Sequence, residues 1–217
     1  MQEVTEPLPG LKLLLDALES HGISASLDPP VPFAFRAGEV VLGKPFDPIL
    51  AKLYAFCDGG KIGDLRLFGM STPEGGLAKF NESLRHREGP RLQALFRYAS
   101  VDSLPQYLAT VPSLAGADGA QPVVLLSTFD EQVIEPIASN ADRALGIYAR
   151  LVEATLQTTG SLDEPAGIDF PRRFIELIGQ DRALVQMVKK GLFDELVSTQ
   201  RDSRTWVEEL LAHTRSS

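Results

Sequence analysis

One cysteine and three histidines in 217 residues leave little of the side-chain chemistry that builds disulfide frameworks, zinc sites or thiol catalysis. Cys57 alone can close no internal bridge, and an unbridged chain suits a reducing compartment. Long apolar runs are missing too. The longest, such as Leu13–Leu15 and Val123–Leu126, fall far short of the roughly 20 residues that span a bilayer. The opening Met1-Gln-Glu-Val-Thr-Glu-Pro is acidic where a secretory leader would be basic, so a cytoplasmic setting away from membranes is expected.

Positive charge is in deficit, with 21 Lys and Arg against 29 Asp and Glu, a net charge of -8. A surface of that sign repels phosphate backbones, so nucleic acid is not an expected partner. It suits solubility, and equally the steering of a basic protein partner. Residues 161–217 carry 10 acids and 8 bases, and residues 1–160 carry 19 and 13, so the first part holds -6 of the net charge.

What is present is the material of a globular core, 44% hydrophobic residues, in a length that supports one generous domain or a domain with an appendage. Leu11, Leu14, Leu15 and Leu18 fall at helical spacing between Pro9 and Gly22. Asp47-Pro48 is a cap followed by a proline at the first helical position, and Ile49, Leu50, Leu53, Tyr54 and Cys57 continue it as an apolar stripe. Gly59 and Gly60 are placed to end that helix. Glu39–Leu42 and Leu65–Leu67 read as short strands, and Leu77–His86 as a short helix.

From Leu92 the period is two: Leu92, Ala94, Phe96 and Tyr98 form one set, and Tyr107, Ala109 and Val111 another. Val123–Leu126 and Val133–Ile137 read as hairpin partners joined by the acidic turn at Asp130 and Glu131. A long helix follows, with Ser139 as cap, Asp142 as a capping-box acid, and Leu145, Tyr148, Val152 and Leu156 on one face. After a linker rich in Thr, Gly and Ser, four helical segments close the chain between Pro171 and His213. The expected fold is α+β: a twisted, mainly antiparallel sheet of about four to six strands flanked by helices over residues 1–158, with a helical C-terminal extension over 159–217.

The search for chemistry yields no catalytic, metal or cofactor site. His21, His86 and His213 stand far apart in sequence, outside any metal-ligand spacing, and suit helix C-termini. Cys57 lies near a helix C-terminus, which disfavours a thiolate, and reads as a core residue. Asp58-Gly-Gly-Lys follows a helix and precedes a strand, the reverse of a phosphate loop. Trp206 shares helical spacing with Leu210 and reads as packing. The residues proposed to face a partner are acids of loops, Asp102, Asp118, Asp130 and Glu131, because connecting segments carry binding more often than cores do.

Three stretches carry a family likeness. They are Phe46-Asp-Pro-Ile-Leu-Ala-Lys-Leu-Tyr-Ala-Phe-Cys-Asp-Gly-Gly, Leu95-Phe-Arg-Tyr-Ala-Ser, and Val133-Ile-Glu-Pro-Ile-Ala-Ser-Asn-Ala-Asp-Arg-Ala-Leu. In their order, residues 8–157 resemble the SUKH superfamily, the group that includes the Smi/Knr proteins. The tryptophan-containing stretches usual in that family are absent here, and the helical tail has no counterpart in it. The resemblance implies an immunity protein, which binds a toxin domain encoded nearby and neutralises it without an active site of its own. Two other readings stand beside it: a regulatory or scaffolding module that docks through its tail, and an enzyme with a site assembled from scattered residues.

Overall fold

A computed structural model of the chain describes residues 6–32, 35–70, 76–85, 89–102, 104–128, 132–162 and 170–216. Asp47 shows how local sequence choices become long-range structure. One carboxylate oxygen accepts from the Ile49 and Leu50 backbone N–H groups at 2.7 and 2.8 Å, capping the helix Pro48–Phe56 (α2). The other accepts from Gln121 N at 2.6 Å, so the cap also fixes a loop 74 residues away. Asp47 is buried, and burial raises its pKa while these hydrogen bonds oppose the shift.

α1 (Pro9–Glu19) and the 19-residue α5 (Ala141–Thr159) pack against each other. Gly10 sits so close to the α5 backbone at Asp142 and Gly146 that a Cβ there would collide with it. Asp142 does not close a capping box. It reaches across to accept from Gly10 N at 2.6 Å, while Asn140 caps α5 by accepting from Arg143 N.

The main sheet has seven strands, all antiparallel, in the order β1 (Ser26–Leu27), β4 (Gly60–Ile62), β5 (Leu65–Leu67), β6 (Phe96–Val101), β7 (Gln106–Thr110), β8 (Val123–Ser127) and β9 (Val133–Ala138). β2 (Val40–Val41) and β3 (Lys44–Pro45) form a separate ribbon. The first strand, of only two residues, carried no readable alternation. α2 ends at Phe56 with Cys57 already extended, so Gly59 belongs to the turn into β4 and Gly60 opens that strand. Both have positive φ, and a Cβ on either would strike the backbone of Leu67–Gly69 or Ser26, so the pair lets strands close around it.

α3 (Gly76–Arg85) occupies the segment read as a short helix. Leu92 to Leu95 does not continue the strand pattern. Gly89-Pro90 opens a single helical turn, α4 (Pro90–Gln93), and Arg91 anchors it to the Leu196 and Gln132 carbonyls and the Thr199 hydroxyl. The tail comprises α6 (Ile175–Gly179), α7 (Arg182–Lys189), α8 (Asp194–Val197) and α9 (Arg201–Ser216). Its Ile178, Leu184, Phe193, Trp206 and Leu210 join the same buried apolar cluster as the sheet.

The tail lies along the outer side of β9. Ile134 N donates to Ser203 Oγ at 2.9 Å, Trp206 Nε1 donates to the Pro136 carbonyl at 2.9 Å, and Ser139 N donates to Asp181 Oδ2 at 2.7 Å. Side chains of the tail thus satisfy backbone groups that an eighth strand would otherwise pair.

Candidate functional site

Antiparallel connection places the β4–β5, β6–β7 and β8–β9 turns at one end of the sheet and the β7–β8 loop at the other. The first two turns are tied together where Asp102 N donates to the Asp64 carbonyl at 2.8 Å. Thr128, at the start of the β8–β9 connection, donates from both its backbone N and its hydroxyl to the Pro105 carbonyl, at 2.9 and 3.1 Å. The β4–β5 and β6–β7 turns and the start of the β8–β9 connection therefore form one stitched edge.

Asp102 stands on this edge. Asp118 belongs to the β7–β8 loop at the opposite end, where its Oδ1 accepts from Ala120 N at 3.1 Å and shapes the turn. Asp130, Glu131 and His86 lie outside the described residues. The four acids proposed to face a partner thus do not share one loop cluster, since Asp102 and Asp118 mark opposite ends.

The β4–β5 turn explains why an acid stands at position 102. Gly63 and Asp64 form a two-residue hairpin loop with Gly63 at φ 64°, and this sets Lys61 directly across from Arg66. Like charges opposite each other on neighbouring strands repel. Asp102 relieves the repulsion by meeting both, Lys61 Nζ at 2.8 Å and Arg66 Nε at 2.9 Å. The hydrogen bond from Arg66 is the main cause holding the Asp102 pKa below its usual value, with Lys61 adding to it. Both cations remain more than half exposed, so each pair contributes about 0–1 kcal/mol to stability. Asp102 is consequently a positioned carboxylate between two cations, and not a bare acidic tip.

Beside it lies Asp64, which is buried. Tyr148 donates its hydroxyl to Asp64 Oδ1 at 2.8 Å, and burial raises the pKa of both groups. An open cleft of about 560 Å³ runs past Asp64, Asp102, Lys61 and Leu162. A larger one, of about 600 Å³, lies against β4, β5 and α3. Lys61 borders both.

Elsewhere the polar groups finish structure. Cys57 is buried in the core and its thiol is pushed up to about 11, chiefly by burial, the opposite of what thiolate chemistry requires. His21 closes the end of α1 with its ring Nδ1 3.0 Å from the Ala17 carbonyl, and His213 packs beside Gly179. Among the described residues no group of three or more His, Cys, Asp or Glu side chains gathers as a metal site, and no helix is long and apolar enough to cross a membrane.

Lys61, Arg66 and Asp64 were not singled out in the sequence. The signal was the Ile62-Gly-Asp-Leu65 hairpin, whose tight turn sets Lys61 and Arg66 opposite each other and so calls for a counter-ion. No known protein-family model matches the chain, and no curated protein matches it significantly.

Proposed function

We propose that this chain is an immunity-type binding protein, acting in the cytoplasm, which neutralises a toxin domain by forming a stoichiometric complex through its hairpin end. The observation that carries this reading is the stitched edge of two turns and the start of a third connection. Adjacent loops held by Asp102 N to Asp64 O and Thr128 N to Pro105 O offer a preorganised surface, which lowers the ordering cost of association. The favoured partner has a basic working face, such as a nuclease. The charge of -6 on residues 1–160 attracts it over distance, and Asp102 offsets the charge of Lys61 and Arg66, the exposed cations of this edge that would otherwise repel it. The likeness of residues 8–157 to the SUKH superfamily supports the toxin as the class of partner.

The test is co-expression with the toxin domain encoded beside this protein. A one-to-one complex is expected, weaker at high salt. Asp102→Asn should weaken it roughly tenfold, whereas Asp118→Asn at the opposite end should leave affinity within about twofold. If the adjacent product is no toxin and nothing co-purifies, the reading fails. Equal sensitivity to both substitutions would reject the hairpin end as the docking surface.

A further inference from the structure

The larger cleft differs in character from the protein around it. Its aromatic floor is Phe68 and Phe80, half-buried, with ring centroids 4.5 Å apart. Tyr107 lies behind both at 6.5 and 6.3 Å, which holds the rings in place. Among the described residues of its lining stand Lys61, Arg66 and Lys79, with Asp28 the one carboxylate. In a chain of net charge -8, the described lining of this cleft thus sets three cations and one carboxylate beside an aromatic surface. Asp102, outside the lining, takes up part of the charge of Lys61 and Arg66, and Lys79 stands on α3.

The volume, about 600 Å³, falls within the range of small-molecule sites, roughly 300–1,000 Å³, and the combination of apolar floor and few polar groups is typical of them. We propose that this cleft binds a small anionic molecule with a flat apolar body, an aromatic carboxylate or phosphate. Its ring lies against Phe68 and Phe80 and its anionic group faces Lys61, Arg66 and Lys79. Charge-assisted hydrogen bonds to Lys and Arg orient the anion, and the rings exclude water from the opposite side. This site shares Lys61 and Arg66 with the partner-binding edge but needs no second protein, so a titration of the chain alone stands or fails apart from that reading.

Calorimetric titration of the full chain with phenyl phosphate, benzoate, inorganic phosphate and benzamide tests it. Phenyl phosphate or benzoate should bind, with inorganic phosphate and neutral benzamide each weaker by roughly tenfold or more. Lys79→Glu changes an exposed side chain and should weaken the aromatic anion roughly tenfold with the melting temperature unchanged. Lys12→Glu, on the outer face of α1, should have no effect on affinity. Absence of binding by both aromatic anions, binding that benzamide matches, or binding indifferent to Lys79→Glu would each overturn the proposal. An acidic protein segment that occupied the cleft while both small anions failed would also overturn it.

Discussion

β1, at one edge of the main sheet, has two residues, whereas β9, at the other, has six and is mostly buried. A two-residue edge offers too little unpaired backbone to template another chain. A six-residue edge offers a great deal. The chain handles the second with Pro136, whose missing N–H falls on the outward side, and with the tail, where Ser203 and Trp206 meet the Ile134 N–H and the Pro136 carbonyl and Asp181 meets Ser139 N just past the strand. The helical extension is therefore part of the sheet's architecture, and its side chains are matched to backbone positions on β9. That placement weakens the idea of a tail kept for docking elsewhere.

Breaking the covered edge should show the largest effect. Trp206→Ala removes a fully buried side chain and orphans the Pro136 carbonyl, and should cost about 3–5 kcal/mol in denaturant unfolding, with self-association as the edge opens.

Glu135, also on β9, sharpens the comparison through pH. It is buried, with Arg172 Nη1 3.3 Å from its Oε1, and Arg172 in turn 3.5 Å from Glu209. Burial raises its pKa from 4.5 to about 7, Arg172 opposes the rise, and Asp202 and Glu209 add to it. Between those values the folded protein keeps a proton that the unfolded chain has lost, so this group's contribution to stability falls as pH climbs from 4.5 to about 7 and levels off above it. Glu135→Gln should stabilise the protein at pH 8 by roughly 3 kcal/mol and leave pH 4 nearly unchanged. Asp47 and Asp64 shift in the same direction, so the pH slope should lessen without vanishing. A variant less stable at pH 8 would show that Arg172 outweighs burial.

The smallest effect contrasts the two edges directly. Ser203→Ala leaves the Ile134 N–H buried without its acceptor and should cost about 1–3 kcal/mol, whereas Ser26→Ala on exposed β1 should change stability by less than about 0.5 kcal/mol. Equal costs would mean that the tail's hydrogen bonds to β9 matter no more than a surface hydroxyl.

Much of the fold is legible in the residues because local signals and tertiary needs agree there. Asp47-Pro48 starts a helix, Asp181 caps α7 at Leu184 N, and Val123–Leu126 is buried throughout and pairs with β9 as its apolar run implies. Readings fail where one residue serves a distant partner. Asp142 has the spacing of a capping-box acid, yet bonds α1. Leu92 and Ala94 alternate like a strand, but Arg91 is held in a helical turn by three acceptors, two of them in the tail.

The candidate site was legible only in part for the same reason. Loop position marks Asp102 as surface, but only the pairing of β4 with β5 and β6 reveals two cations on either side of it. The aromatic floor of the larger cleft joins Phe68 to Phe80, twelve residues apart across a strand and a helix. Phe80 falls at helical spacing with Leu77 and Leu84, but Phe68 lies past the Leu65–Leu67 strand and no local period links the two. Pro136, by contrast, was a usable sign of an edge strand that its apolar neighbours obscured.

Hydrogen exchange of the chain alone and in complex with the toxin domain proposed as its partner tests the account most directly. Protection is expected at residues 61–66 and 100–106, with little change at residues 116–121 at the far end of the sheet. Protection confined to 116–121, or to the tail against β9, would contradict docking at the hairpin end.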